Sequence, residues 1–344
     1  MAGILRNIRK NCFQAVSGGN RPSPPWVFAV PVAEEAAMKA IRIHEFGGPE
    51  VLRVEELAAP EPGPGEVLIR VRASSVNPVD YKIRNGGYLP PERLPLTLGR
   101  DVAGVVDKVG SGVEAYGEGS AVYAMLAPDR GGYAEFVTAR AEDCAPMPAR
   151  LDFVQAAAVP LAALTAWQGL FDHGRLHSGQ SVLIHGAAGG VGHFAVQFCR
   201  VRGCFVYVTA SPEDRDFLKA LGADEVIDYH RERFEDRMRK VDLVFDLVAG
   251  ATQDRSFAVL KEGGALISTL TAPDPKKAEQ MHVRAERYTA QPNGAELAEI
   301  GKLIDMGLVM PQVTRVFPLE QAAQAEKTLE TEHVRGKIVL QVTP

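Results

Sequence analysis

Cysteine is scarce in this sequence, and the few cysteines are far apart. Only 4 of the 344 residues are cysteine, and no two of them form a Cys-x-x-Cys pair. This pattern excludes a disulfide framework and favours a reducing compartment, so we predict a cytoplasmic protein. Because free cysteine usually behaves as a small buried hydrophobe, we expect that role for Cys12, Cys144, Cys199 and Cys204.

Long hydrophobic runs are also absent. The longest, residues 156–167, contains Pro160 and spans 12 residues, whereas a transmembrane helix needs about 20. An excess of positive charge is missing too, since 38 Lys and Arg stand against 43 Asp and Glu. The sequence therefore excludes a membrane-spanning helix, a general nucleic-acid binder and a polybasic membrane-surface protein.

The rest of the composition is that of an ordinary globular protein. Hydrophobic residues make up 46% of the chain and charged residues 24%. At roughly 150 residues per domain, the length predicts about two domains.

The first 37 residues differ from the rest of the chain. Four basic residues precede the first acidic one, and residues 17–25 are rich in Ser, Gly and Pro. We expect an extension outside the folded core, for which three explanations stay open: a disordered segment, a mis-start upstream of Met38, or an organelle-targeting peptide. The segment lacks the apolar stretch of a secretory signal.

Short strands separated by Gly and Pro follow from residue 38 to about residue 155. This pattern predicts a β-rich domain with little room for helix. The strands are predicted at residues 38–44, 51–55, 66–73, 103–109, 120–123 and 133–137.

Beyond residue 155 the pattern changes to strands that alternate with helices. Helices are predicted at 155–171 and 193–202, and strands at 181–185, 204–209, 225–228, 241–247 and 265–269. Gly203 and Gly222 are expected to end helices. Because strand–helix–strand units build parallel sheets with helices on both faces, we predict a doubly wound domain here.

A glycine-rich turn lies between the strand at 181–185 and the helix that follows it. Its small residues would let a pyrophosphate approach the backbone, and the helix amino end would present unpaired N–H groups to it. The turn therefore predicts a dinucleotide site, with a ligand-free structural turn as the alternative. Its residues are Gly186, Ala187, Ala188, Gly189, Gly190, Val191 and Gly192.

The end of the next strand bears on the choice between NADP and NAD. An acidic residue there would bind the ribose 2′-hydroxyl of NAD. This strand ends at Ser211 with Arg215 shortly after, a pairing that leaves room and donors for a 2′-phosphate, so we predict NADP(H). Glu213 and Asp214 keep NAD open, because a shift of two residues would put an acid in the NAD position.

Six segments together resemble the medium-chain dehydrogenase/reductase superfamily, and within it the zinc-free, ζ-crystallin-like quinone oxidoreductases. The resemblance implies an α/β protein with a GroES-like β-rich catalytic domain at residues 38–155 and 308–344. It also implies a Rossmann doubly wound parallel-sheet domain at 156–307, and a homodimer or homotetramer. The segments are Gly47–Leu52, Asn77–Asp80, Gly99–Gly104, Gly186–Gly192, Leu221–Tyr229 and Arg335–Lys337.

The same resemblance argues against a catalytic zinc. Zinc-dependent members hold the metal with a Cys and a His, but Asn77 stands in place of the Cys and Arg100 in place of the His. Asp101 stands in place of a neighbouring Glu. Because Zn²⁺ needs about three protein ligands and an arginine would repel a dication, we predict no metal.

Without zinc, the natural acceptor of hydride from NADPH is already electrophilic: a quinone or an α,β-unsaturated ketone or aldehyde. Hydrogen-bond donors would stabilise the charge that develops on its oxygen. The candidates are Asn77, Tyr81, Lys82 and Arg100, with Tyr81, Tyr88 or water as proton source. Each also has a structural explanation, as a turn residue, a core tyrosine, or a solvated or ion-paired cation.

For the cofactor, the resemblance implies further contacts. Thr165 would lie near the nicotinamide, Ser211, Arg215 and Tyr229 near the 2′-phosphate, and Val248 and Leu270 along the ribose, with Lys337 also at the site. Two other functions stay open at this point. The protein could bind NADPH without turnover, since fold does not establish function, or it could be a zinc-type alcohol dehydrogenase.

Overall fold

The computed structural model describes residues 37–342. The predictions for the amino-terminal extension, apart from its last residue, and for Cys12 fall outside this range. Cys144, Cys199 and Cys204 are buried, with at most 8% of each exposed, which confirms the role predicted for them.

The amino-terminal part is β-rich, as predicted. Its strands are β1 (Ala37–Ile43), β2 (Arg53–Ala58), β3 (Glu66–Val76), β4 (Leu96–Thr97), β5 (Asp101–Val109), β6 (Ala121–Met125), β7 (Phe136–Arg140) and β8 (Cys144–Pro146). β1 lies between β2 and β4 in a small antiparallel sheet. β3 is the central strand of the larger sheet, because it pairs with both β5 and β7 and buries most of its side chains.

One helix interrupts these strands where the sequence had indicated only a turn. Helix α1 (Pro78–Arg84) starts with proline at its first position, where the missing N–H costs nothing. The Asp80 carboxylate accepts a hydrogen bond from the Asn77 backbone N–H at 2.8 Å. This contact caps the helix and fixes the loop that carries Asn77.

The helix predicted at residues 155–171 is wrong as a single element. The segment consists of α2 (Phe153–Ala157), α3 (Pro160–Trp167) and a π-helix (Gln168–His173). The break falls at Pro160, because proline has no N–H to donate and its ring clashes with the carbonyl four residues earlier.

The doubly wound domain is built on a six-stranded parallel sheet. Its strands and helices are β9 (Ser181–His185), α4 (Gly192–Arg202), β10 (Phe205–Ala210), α5 (Arg215–Leu221), β11 (Glu225–Asp228), α6 (Phe234–Arg237), β12 (Val241–Asp246), α7 (Gly250–Ser256), β13 (Leu260–Ser268), α8 (Pro275–Gln280), β14 (Arg284–Arg287) and α9 (Gly294–Asp305). Gly203 and Gly222 end α4 and α5 in the left-handed conformation, as predicted.

The strand order in this sheet is β11-β10-β9-β12-β13-β14, and all pairs are parallel. The order reverses between β9 and β12, and ligands of such sheets bind at the carboxyl ends of the strands at this reversal. The α/β fold class with a Rossmann sheet is thereby confirmed. β14 was not predicted, because its charged sequence lacks the apolar signal of a buried strand.

The carboxyl-terminal segment returns to the larger sheet that contains β3, where its own two strands pair in parallel. It contains β15 (Val313–Pro318), α10 (Ala322–Thr331) and β16 (Lys337–Gln341). β16 pairs with β3, so that Ile338 lies opposite Val76. This pairing places the loop before β16 between the two sheets and next to the Asn77 loop.

Candidate active site and cofactor cleft

The glycine-rich turn joins β9 to α4 at the carboxyl edge of the parallel sheet. The Gly189 N–H donates to the Gly186 carbonyl, and the His193 N–H donates to the Gly189 carbonyl. A Cβ on Gly192 would lie 2.3 Å from the Gly186 oxygen, whereas one on Gly189 would meet only that same oxygen, at 3.5 Å. The turn is thus closed by Gly192 and open at Gly189, which is the shape that a pyrophosphate requires.

The end of β10 holds a polar group formed by residues far apart in sequence. The Ser211 hydroxyl donates to Asp214 at 2.9 Å, and Arg335 donates to the other Asp214 oxygen at 2.5 Å. Burial alone would raise the pKa of Asp214, but the hydrogen bonds from Arg335 and Ser211 lower it, so the carboxyl is ionised. Arg215 is exposed and donates to the Val226 carbonyl, and Tyr229 is 55% exposed.

The residues predicted along the ribose follow β12 and β13 at the same edge. Val248 is 50% exposed, and its N–H donates to Asp246 at 3.0 Å. Asp246 also accepts from Ala249 N–H and from the Ser268 hydroxyl, which in turn accepts from Leu270 N–H. A single buried carboxylate therefore sets the loops that carry Val248 and Leu270.

Lys337 connects the cofactor turn to the catalytic loop. Its Cδ would be 3.0 Å from a Cβ on Gly190, so the side-chain stem packs against the glycine-rich turn. Its ammonium group donates to the Val76 carbonyl at 3.1 Å and to Asn77 Oδ1. The side chain is buried, and burial lowers the pKa of Lys337 even though Asp101 and Asp80 oppose this.

Asn77 is at the centre of a buried polar network. Its Nδ2 group donates to Asp101 at 2.8 Å and to the Ser75 carbonyl at 3.3 Å, and its Oδ1 accepts a hydrogen bond from the Lys337 ammonium group. Asn77 is 1% exposed. Its hydrogen-bonding groups are therefore engaged within the chain, an arrangement that suits a positioning role better than direct contact with a substrate.

Asp101 links this network to the helix that carries Thr165. Its Oδ1 accepts the Leu161 N–H of α3 at 2.7 Å, and its Oδ2 accepts the Ser75 hydroxyl. Thr165 lies one turn further along α3 and donates to the Leu161 carbonyl. The Asp101 carboxylate therefore fixes three parts of the chain relative to one another: strand β3, helix α3 and the Asn77 loop.

The other predicted donors surround this network. Tyr81 and Lys82 are half-buried, and within residues 37–342 neither side chain donates a hydrogen bond to the protein. Burial, and then Glu330 and Tyr88, raise the pKa of Tyr81, so its hydroxyl stays protonated at neutral pH. Arg100 donates twice to the Leu126 carbonyl, at 3.0 and 2.7 Å, and is not paired with Asp80 or Asp101.

Several residues of the site carry no local signal in the sequence. Tyr133 donates to Asp80 at 3.1 Å, and His333 lies 2.9 Å from Asp214. Both are far in sequence from their partners, and no spacing rule relates them. The one sequence signal for the carboxyl-terminal loop is the similarity of the Arg335–Lys337 segment to the superfamily.

Asp80 gives the stability of the protein an uncommon dependence on pH. Burial raises the pKa of its carboxyl from 3.8 to about 6, so the folded chain keeps a proton that the unfolded chain has lost. As the pH rises through this range, the group destabilises the fold by about 3 kcal/mol, since each tenfold change in an equilibrium is worth about 1.4 kcal/mol.

We expect the variant D80N to lack this contribution. Denaturant unfolding of both proteins at about pH 4 and about pH 7.5 measures it. Between these two conditions the free energy of unfolding of the wild type should fall relative to that of D80N. Identical responses of the two proteins to pH would contradict the assignment.

Within residues 37–342, no group of three or more His, Cys, Asp or Glu side chains is arranged to hold a metal ion. None of the helices described there combines the length and the apolar character needed to cross a bilayer.

Family models match both parts of the fold. Residues 63–149 match the model described as Alcohol dehydrogenase GroES-like domain, and residues 221–340 match the one described as Zinc-binding dehydrogenase. The antiparallel sheet and the parallel sheet therefore each have a counterpart in known dehydrogenase domains.

Full-length relatives are similar over most of the chain. NADPH-dependent alkenal/one oxidoreductase of Arabidopsis thaliana is 37% identical over 320 residues, which cover 89% of this chain and 80% of that protein. The quinone oxidoreductase structure from Coxiella burnetii has a TM-score of 0.84 at 40% identity, covering 90% of this chain and 100% of that one. Escherichia coli quinone oxidoreductase complexed with NADPH has a TM-score of 0.81 at 30% identity, covering 88% and 100%.

The likeness extends through both sheets and the turn that joins β9 to α4. Sequence identity to the Arabidopsis thaliana protein exceeds 30% over 89% of this chain. A similarity of this extent indicates common membership of a family and not only a common fold. The chain belongs to the medium-chain dehydrogenase/reductase superfamily, as a member of its quinone oxidoreductase group.

Proposed function

We propose that this protein is an NADPH-dependent reductase of quinones or α,β-unsaturated carbonyl compounds that acts without a metal ion. One contact supports this most directly. Lys337 packs on the glycine-rich turn and ends at Asn77, so it joins the cofactor turn to the catalytic loop. Relatives named for quinone and alkenal/one reduction support the substrate class.

The residues at the carboxyl edge of the parallel sheet fit NADPH. The open side of the turn at Gly189 and the amino end of α4 suit a pyrophosphate. Arg215 and Tyr229 offer donors for a 2′-phosphate beside Ser211, and Val248 and Leu270 offer apolar walls. We propose Thr165, which lies on α3 one turn after the residue bound by Asp101, for the nicotinamide end.

When bound, NADPH supplies a hydride, and a quinone or enone is electrophilic enough to accept it without a Lewis acid. The protein then has to orient the acceptor and stabilise the negative charge that grows on its oxygen. Tyr81 and Lys82 are the donors that the chain leaves available for this, while Asn77 and Arg100 position the loop around them.

One proton completes the reduction. Hydride plus a proton converts a quinone into a hydroquinone, or an enone into a saturated ketone. We propose the protonated Tyr81 hydroxyl, Tyr88 or water as the source, since the pKa of Tyr81 lies above its ordinary value.

Initial rates of NADPH and NADH oxidation at 340 nm test this proposal. The panel is a benzoquinone, a naphthoquinone, an enone, an enal and a simple aldehyde, each with and without a chelator. We expect NADPH-dependent turnover of the quinones or enones, no change on adding chelator, and little reaction with the simple aldehyde.

Two other results would point elsewhere. Tight NADPH binding with no turnover of any acceptor would favour a binding protein without enzymatic activity. Loss of activity with chelator, together with stoichiometric zinc in the purified protein, would favour a zinc-type alcohol dehydrogenase and contradict the proposal.

We further propose a homodimer or homotetramer in the cytoplasm. The free, buried cysteines of residues 37–342 support a reducing compartment. The domain boundaries at residues 155–156 and 307–308 likewise stay a prediction.

A further inference from the structure

A carboxylate lies where an NAD-binding protein would hold the ribose. Asp214 follows the carboxyl end of β10, and its Oδ2 accepts from the Ser211 hydroxyl at 2.9 Å. A phosphate placed beside Ser211 would therefore be only a few ångströms from a negative charge. Left free, such a carboxylate would accept a hydrogen bond from the 2′-hydroxyl of NADH and repel the 2′-phosphate of NADPH.

Asp214 is not free, because the carboxyl-terminal loop covers it. Arg335 donates through Nε to Oδ1 at 2.5 Å, and His333 lies 2.9 Å from Oδ2. Only 1% of Asp214 is exposed, although 42% of the Arg335 side chain reaches solvent. Both oxygens of the acid are thus occupied by partners about 120 residues further along the chain.

The backbone holds Arg335 in this place. The Gly336 N–H donates to the Ala188 carbonyl of the glycine-rich turn at 2.9 Å. A Cβ on Gly336 would lie 2.2 Å from the Gln312 oxygen, so the loop passes where only glycine fits. Arg335 also donates through Nη2 to the Glu213 carbonyl. The guanidinium is therefore oriented before any cofactor arrives.

We infer that Arg335 determines cofactor specificity by neutralising Asp214, so that the end of β10 accepts a 2′-phosphate. A guanidinium keeps its charge at every physiological pH and matches a carboxylate in geometry, so it cancels the acid permanently. The inference rests on the proposed placement of the 2′-phosphate at Ser211.

The test is the ratio of the NADH and NADPH dissociation constants, measured by fluorescence titration without any acceptor. R335M should lower this ratio at least about tenfold, mainly through weaker NADPH binding. The double variant R335M/D214N should return it to within about threefold of the wild type, because the unpaired charge is gone. R335K, which keeps the charge, should retain most of the preference.

Arg315 provides a matched control. It lies on β15 and forms an exposed ion pair with Glu332, which follows α10. R315M should leave the ratio unchanged. An unchanged ratio in R335M would overturn the inference. A lowered ratio that D214N does not restore would also overturn it, because Arg335 would then act on the phosphate directly.

The variant S211A separates this inference from the proposed function. If S211A changes the affinity for neither cofactor, the placement of the 2′-phosphate is wrong and the inference falls with it. If S211A weakens NADPH binding while R335M does not, the placement holds and only the role of Arg335 is wrong. Thermal unfolding of each variant establishes that it is folded.

Discussion

Replacing Lys337 by methionine is expected to destabilise the protein by about 3–5 kcal/mol and to lower kcat far more than it weakens NADPH binding. Methionine keeps the stem that packs on Gly190 but removes the buried ammonium group, which lies 3.7 Å from Asp101 Oδ2 and also interacts with the Asp80 carboxyl. Breaking a buried ion pair by removing one partner leaves the other charge uncompensated, which is the source of the loss.

The effect on kcat follows from Asn77. Without Lys337, Asn77 Oδ1 loses its donor, and helix α1, which bears Tyr81 and Lys82, loses one of the contacts that hold its amino end in place. Small displacements of positioning groups cost large factors in rate. The pyrophosphate turn is unchanged, so the affinity for NADPH should stay within about threefold of the wild type.

Denaturant unfolding, NADPH titration and steady-state kinetics measure these three quantities. K337M/D101N should recover part of the stability, because it removes one of the two acids. K302M is the control, since Lys302 forms only an exposed pair with Glu299. A K337M protein as stable and as active as the wild type would show that the network has neither role.

Alanine at two glycines of the turn is expected to have different consequences. G189A should leave thermal stability unchanged, because its Cβ meets only the Gly186 oxygen at 3.5 Å. That methyl group would instead occupy the open side of the turn and should weaken NADPH binding at least about tenfold.

G192A should weaken binding and also destabilise the fold. Its Cβ would lie 2.3 Å from the Gly186 oxygen and 2.5 Å from Ala187 Cα, both backbone atoms that cannot move aside without opening the turn. Overpacking of this kind costs about 1–3 kcal/mol. Thermal unfolding with and without NADPH measures both effects, and a G189A protein that binds NADPH normally would show that the open side of the turn does not hold the pyrophosphate.

Local chemistry determined much of the fold. Strands β9 and β11 lie at the predicted residues, and Gly203 and Gly222 end their helices as expected. These features depend on neighbours within a few positions, where hydrophobic period and glycine conformation act directly. The break at Pro160 also has a local cause, and the predicted long helix is wrong because the proline interrupts the helix although the apolar residues continue on both sides of it.

Other elements depend on tertiary context. Helix α1 forms because Asp80 caps it and then packs inward against Tyr133, a partner 53 positions away. Strand β14 has no apolar face of its own. It forms because its backbone pairs in parallel with β13. Neither condition leaves a periodic trace in the sequence.

For the site, three features follow from the residue order alone: the glycine-rich turn, the residues at the ends of the parallel strands, and the residue types that stand in place of zinc ligands. How these residues are used depends on contacts between distant parts of the chain. The tertiary structure brings Lys337 into contact with Asn77, 260 positions away, and Arg335 into contact with Asp214, 121 positions away. Such contacts form because β16 pairs with β3, which brings the loop before β16 next to the Asn77 loop. The partner of a buried charge is set by burial and distance, which no local pattern encodes.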